Sequence, residues 1–437
     1  MIQLLEPRWL LPIEPWSVVE DGAVALEDRR IIALGNRREL REKYPDAHRT
    51  VLPDHVLLPG LVNAHTHAAM TLLRGFADDV PLMTWLRQRI WPVEGRWVDP
   101  DFVTDGTRLA AAEMLRGGVT CFADMYFFPA QAIEACLRSG MRILSGQVVV
   151  DATTAYANGS ADHLQKAARV IEQYRDAPGV HFSLAPHAPY TVSDEVFVSL
   201  KVLSEELGIP LHTHLHETVD EVEESITQYG VRPLERLDRL GVVDPHFMAV
   251  HAVHLTDDEI SLLADRGASA VHCPTSNLKL ASGVARFADW LAAGMRVGLG
   301  TDGVASNNRL DLLSDMRLAS LLAKGSTGDA SVVPAQQALW AATLGGANAL
   351  GLGHLIGSIG VDKSADLIAV DLSDQDLSPM YDVASHLVNC VDRHHVSDVW
   401  VAGRQVVRHS ELVDEDPAQL RALATTWQER IRSSSGR

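Results

Sequence analysis

The sequence predicts an α/β protein: a (β/α)8 barrel of the TIM type with a small β-sandwich built from both chain ends. Three observations lead there. Between about residues 56 and 330, short apolar runs alternate with helical patterns, giving eight candidate strands. Several of the helical patterns close on glycine. Both ends of the chain carry a different texture, short alternating segments separated by turn residues.

The eight candidate strands are Val56–Ala64, Val119–Met125, Arg142–Val150, Val180–Pro186, Pro210–Leu215, Phe247–His251, Ala268–Cys273 and Val297–Thr301. Amphipathic stretches such as Asp101–Arg116, Ala161–Tyr174, Asp194–Leu207, Asp257–Arg266 and Ala285–Ala293 lie between them. Gly117-Gly118, Gly140, Gly208, Gly267 and Gly294 are the expected helix stops. The rhythm fits a closed barrel better than an open doubly wound sheet. No G-x-G-x-x-G opens a βα turn, so a dinucleotide site has no support. At the ends, segments such as Gly22–Leu26, Asp366–Val370 and Val399–Ala402 read as small antiparallel strands. Pro417–Arg432 reads as an amphipathic helix with a frayed Ser-rich tail. The expected division is residues 1–58 for the first part of the sandwich, 59–361 for the barrel, and 362–437 for the second part plus the C-terminal helix.

Composition narrows the partners. Asp and Glu number 57 against 38 Lys and Arg, a net charge of −19. That balance argues against nucleic acid or an anionic membrane, which draw on clustered cations. No apolar run approaches the roughly 20 residues of a membrane span, and no signal-peptide pattern opens the chain. Cys121, Cys136, Cys273 and Cys390 are scattered, with no C-x-x-C pair, so neither a disulfide framework nor a thiolate zinc site is indicated. The expectation is a cytoplasmic, reduced protein acting on a small molecule.

The chemistry concentrates where strands end, which in a barrel is the working face. Residues 59–67 read Pro-Gly-Leu-Val-Asn-Ala-His-Thr-His, and His65 and His67, two apart on a strand, point to the same side. His187 ends the fourth strand; His212, His214, His216 and Glu217 end the fifth; His251 ends the sixth; Asp302 follows the eighth. A catalytic divalent ion wants three or four N/O ligands and an open position. His65, His67, one strand-five histidine and Asp302 supply that number. Period two puts His212, His214 and His216 on one face, and His214 is best placed, neither deep in the strand nor out in the loop.

Taken together, Pro59–His67, His214-Leu-His-Glu217, His251-Ala-Val-His254, Pro274-Thr-Ser-Asn277-Leu-Lys and Gly300-Thr-Asp302-Gly resemble the amidohydrolase superfamily. More narrowly they resemble its branch of aminopurine deaminases and triazine hydrolases, and within it the 5′-methylthioadenosine/S-adenosylhomocysteine deaminases. The resemblance covers essentially the whole chain. Binuclear members bridge two ions with a lysine ending strand four or three; Ala185-Pro-His187 and Arg142–Asp151 hold none. The resemblance therefore implies one divalent ion per subunit, zinc by default with ferrous iron as the other option. A homo-oligomer, dimer or tetramer, is the expected assembly.

The implied activity is hydrolytic deamination of an adenine nucleoside (5′-methylthioadenosine, S-adenosylhomocysteine or adenosine) to its inosine analogue. The alternative is a deaminase or dechlorinase of another N-heterocycle of guanine, triazine or pterin type. By charge, Asp302 takes the proton of the attacking water, Glu217 protonates a ring nitrogen, and His251 hydrogen-bonds the water and developing oxyanion. By likeness, Glu94 accepts from the ribose hydroxyls, Trp85 covers the sugar or 5′-substituent, and His187 contacts the nucleoside. Relatives that place an arginine after the third strand have a partner for the homocysteine carboxylate. Ala152–Asp162 has no arginine, which favours methylthioadenosine or adenosine.

Overall fold

A computed structural model describes residues 1–435. Eight strands run parallel and pair in chain order: Leu61–Thr66, Val119–Tyr126, Arg142–Val149, Val180–Pro186, Leu211–Leu215, Phe247–His251, Ser269–His272 and Arg296–Leu299. The first and eighth come alongside each other. Side-chain bonds stitch the seam: Thr301 N donates to Asn63 Oδ1 at 3.0 Å, and Asn63 Nδ2 donates to Thr301 Oγ1 at 2.8 Å. The (β/α)8 barrel expected from the alternating runs is therefore present.

The glycine stops work as the pattern implied. Gly140 and Gly208 end their helices in the left-handed region, at φ +78° and +64°, where a Cβ would be strained.

One expected element divides in two. The apolar run Val56–Ala64 breaks at Gly60, because Val56–Pro59 belongs to an outer strand, His48–Pro59, and the barrel starts at Leu61. A Cβ at Gly60 would lie 2.1 Å from Thr120 Oγ1, so only glycine lets the chain pass from one sheet to the other here. Both halves are buried, so hydropathy reads straight through the break. The eighth strand likewise stops at Leu299, which leaves Gly300–Asp302 in the loop above it.

The outer sheet draws on both chain ends, as expected. Its nine strands follow the path Glu411–Leu412, Arg404–Arg408, Val396–Val401, Leu367–Asp371, His48–Pro59, Ile2–Leu10, Gly22–Glu27 and Arg30–Asn36, with Val19–Glu20 pairing Ile2–Leu10. Pairing is antiparallel except between Ile2–Leu10 and His48–Pro59, which run parallel. A buried ion pair ties this sheet to the barrel: Arg142 Nε lies 2.9 Å from Asp366 Oδ2, and Nη2 is 2.9 Å from Oδ1. The C-terminal helix runs Pro417–Ser435 and anchors through Trp427 Nε1, which donates to Asp105 Oδ2 at 2.8 Å. The Ser-rich tail expected to fray is helical through Ser435, and Gly436–Arg437 lie outside the described residues. Among the described residues no helix is long and apolar enough to cross a membrane.

Candidate active site and metal centre

The strand ends converge. His65 Nε2 lies 3.4 Å from Asp302 Oδ1, His67 Nε2 lies 3.3 Å from the same oxygen, and His214 Nε2 lies 3.3 Å from His65 Nε2. Ligand atoms of His65, His67 and Asp302 all fall within 4.8 Å of one another, as do those of His65, His214 and His251. Each ring is held from behind. His67 Nδ1 donates to the Met125 carbonyl at 2.6 Å and His214 Nδ1 to the His187 carbonyl at 2.7 Å. His65 Nδ1 lies 2.9 Å from His212 Nε2. With the outer nitrogens of His67 and His214 protonated, their Nε2 lone pairs aim inward, the arrangement a metal-binding imidazole needs. Lone pairs and a carboxylate oxygen crowded together without protons between them suit a divalent cation.

Electrostatics agree. Burial pulls His65 down to about 3, against the opposing pull of Asp302, and burial with the neighbouring histidines takes His214 well below its usual value. Burial works against the Asp302 carboxylate, but His65, His67 and His251 hold it well below the usual range. His65 and His214 are thus held neutral beside one charged acid. Asp302 is further fixed: Ser276 Oγ and Ser306 Oγ each donate to its Oδ2 at 2.6 Å, and Gly303 N donates to Oδ1 at 2.7 Å. Its backbone sits at φ +62° and that of His251 at +68°, strained conformations maintained where the chemistry is.

Of the three strand-five histidines, His214 is the one that turns Nε2 toward the His65 ring from the cavity side. His212 lies beneath, against the back of His65. His216 turns away at φ +53°, where its Nε2 accepts from Leu234 N at 2.9 Å. Glu217 is not the cap of the following helix, Val219–Tyr229; Thr218 is, accepting from Glu221 N. The Glu221 carboxylate instead accepts from both His216 N and Glu217 N, fixing the turn that aims Glu217 inward. Burial and the Asp302 charge raise the Glu217 carboxyl, with His251 opposing, which favours a proton-carrying acid. His251 Nδ1 donates to Asn277 Oδ1 at 2.8 Å; burial lowers its pKa, but Glu217 and Asp302 outweigh it and raise the net value.

Except for His65, which lies fully buried underneath, every residue given a role from sequence lines one cavity of about 700 Å³. Its floor holds His67, His214, Glu217, His251 and Asp302. Its wall includes Trp85 and Glu94, from the helical segments Leu82–Trp85 and Trp91–Trp97, and His187. Glu94 Oε1 accepts from Tyr126 OH at 2.7 Å, and burial raises its carboxyl while that bond lowers it. The carboxylates Glu94, Asp151, Glu217 and Asp302 line the cavity, and among the described residues no Lys or Arg does.

Sequence reasoning misses Tyr126, Ser276, Ser306 and Asn277. The motif at Pro274–Lys279 is the available signal for Ser276 and Asn277; nothing local marks Tyr126.

Residues 56–406 match the amidohydrolase family, and residues 22–47 match an imidazolonepropionase-like composite domain of bacteria. A 5-methylthioadenosine/S-adenosylhomocysteine deaminase of Teredinibacter turnerae is 42% identical over 428 residues, covering 98% of this chain and 97% of that protein. A zinc-bound adenosine deaminase from Xanthomonas campestris superposes with a TM-score of 0.97 at 48% identity, covering 99% of this chain and 98% of that one. An atrazine chlorohydrolase from Arthrobacter aurescens, 24% identical with a TM-score of 0.91 and coverage of 97% and 99%, shares the fold. With the family match spanning the barrel and the relatives spanning nearly the whole chain, this protein belongs to the amidohydrolase family.

Proposed function

We propose that the protein hydrolytically deaminates an adenine nucleoside, releasing ammonia and the inosine analogue. The observation that carries the reading is the cluster at the cavity floor, where His67, His214 and Asp302, with His65 just beneath, bring their ligand atoms together beside the buried acid Glu217. The names borne by the Teredinibacter and Xanthomonas relatives support adenine nucleosides as the substrate class. His65, His67, His214 and Asp302 would hold one divalent ion, zinc by analogy with the Xanthomonas structure. When bound, such an ion would supply water acidified from far above neutrality toward a pKa of about 7.

The side chains divide the remaining work. Asp302, its Oδ2 already occupied by two hydroxyls, keeps Oδ1 toward the imidazoles and accepts the proton of the attacking water. Glu217 donates its proton to a ring nitrogen of the purine, making the adjacent carbon electrophilic. His251, set by Asn277, hydrogen-bonds the oxygen as negative charge develops on it. Asp302 then passes its proton to the departing amine, and the proton left on the new hydroxyl recharges Glu217 as the carbonyl forms and ammonia leaves. On the wall, Glu94 accepts from the ribose diol, Trp85 covers the sugar, and His187 contacts the nucleoside. A cavity lined by four acidic side chains and, among the described residues, by no Lys or Arg suits an uncharged 5′-substituent, as in methylthioadenosine or adenosine, over one bearing a carboxylate.

An ammonia-release screen over adenosine, methylthioadenosine, S-adenosylhomocysteine, guanine and melamine tests this. Turnover of the first two, with S-adenosylhomocysteine slower, is the expected result. Release from guanine or melamine alone would overturn it.

A further inference from the structure

Glu94 needs something to orient it. It sits on Trp91–Trp97, a short helix none of whose residues is fully buried, Glu94 itself being partly covered. Its anchor is Tyr126, a buried residue at the end of the second barrel strand, whose hydroxyl donates to Oε1. Burial and the Glu94 charge push the phenol well above 10, so it stays a donor throughout the neutral range.

That strand contributes three contacts in a row. Asp124 Oδ1 accepts from Ala68 N at 2.8 Å and Thr66 Oγ1 at 3.2 Å, bracketing His67 in the chain. The Met125 carbonyl accepts from His67 Nδ1. Tyr126 reaches the other way, to Glu94. One rigid strand therefore sets both a metal-ligating imidazole and the wall carboxylate, and with them the span between the reacting centre and the sugar.

We infer that Tyr126 is a positioning residue for the sugar half of the substrate: its hydroxyl pre-sets the Glu94 carboxylate to receive the ribose diol at a fixed distance from the cavity floor. The inference rests on the reading of Glu94 as the ribose acceptor. It predicts a loss that depends on the diol, which a merely structural bond would not produce.

The test is steady-state deamination of adenosine and 2′,3′-dideoxyadenosine by wild type, Tyr126→Phe, Glu94→Gln and the double variant. Tyr126→Phe should lower kcat/KM for adenosine about tenfold or more, mainly through KM, and leave dideoxyadenosine within about twofold. In the Glu94→Gln background the further effect of Tyr126→Phe should shrink to near nothing. Equal losses on both nucleosides, or none on adenosine, would overturn the assignment of Tyr126 while leaving Glu94 in place. If Glu94→Gln itself fails to distinguish the two nucleosides, the ribose contact is wrong and the inference goes with it. Unchanged melting temperature and metal content in Tyr126→Phe separate misfolding from these outcomes.

Discussion

Glu217 and His251 face each other across the cavity floor, with Oε2 of the acid 3.9 Å from Nε2 of the imidazole. The gap is too long for a good hydrogen bond. Each side chain is instead held from outside the pair: Glu217 by the backbone turn that Glu221 ties down, His251 by Asn277. Neither is held by the other, and both face the cavity that they line.

Glu217→Gln should keep its metal and lose about 10²- to 10⁴-fold in kcat, since the amide cannot donate the proton a ring nitrogen needs. His67→Ala should lose turnover together with metal. Metal analysis beside the kinetics separates the two classes, and metal loss in Glu217→Gln would remove its assignment as proton donor.

Ser276 tests how far Asp302 depends on its hydroxyl partners. Ser276→Ala removes one of two 2.6 Å bonds to Oδ2. A hydrogen bond to a charged group contributes about 1.5–3 kcal/mol. The variant should therefore lose about tenfold or more in kcat with KM little changed and metal retained. Ser276→Thr should restore most of the loss. A full-rate alanine variant would mean that Ser306 and Gly303 N suffice.

Much of this site was legible because metal and acid–base chemistry uses few residue types, and these sat at the ends of recognisable strands. His65, His67, His251 and Asp302 stand where a barrel puts its working groups. The choice among His212, His214 and His216 was not forced by spacing, because period two treats them alike. What separates them is long-range: the back of His65 for one, Leu234 N for another. Tyr126 was invisible for the same reason, as its partner lies on a helix 32 residues earlier and tyrosine at a strand end carries no local signal. The break at Gly60 escaped because burial on both sides hides a change of sheet.

His163 gives a stability prediction away from the metal. It is fully buried between Phe127 and Tyr156, and neither ring nitrogen has a hydrogen-bond partner among the described residues. Burial brings its pKa down to about 4, only partly offset by the nearby Val148 backbone. Between about 6.5 and 4 the unfolded chain takes up a proton that the folded chain refuses, so this residue costs stability as pH falls through that window. His163→Phe removes that cost. Its melting temperature should drop less between pH 7 and pH 5 than that of the wild type, measured by calorimetry. Identical pH dependence would show the ring to be protonated, or free to open to solvent, in the folded state.

The most direct test is metal reconstitution. Chelated protein is titrated with zinc while bound metal and ammonia release from methylthioadenosine are followed together. Activity should rise linearly and stop at one ion per chain in the wild type, with no recovery in His65→Ala or Asp302→Asn. Full activity without metal, or a requirement for two ions per chain, would contradict a single centre built from His65, His67, His214 and Asp302.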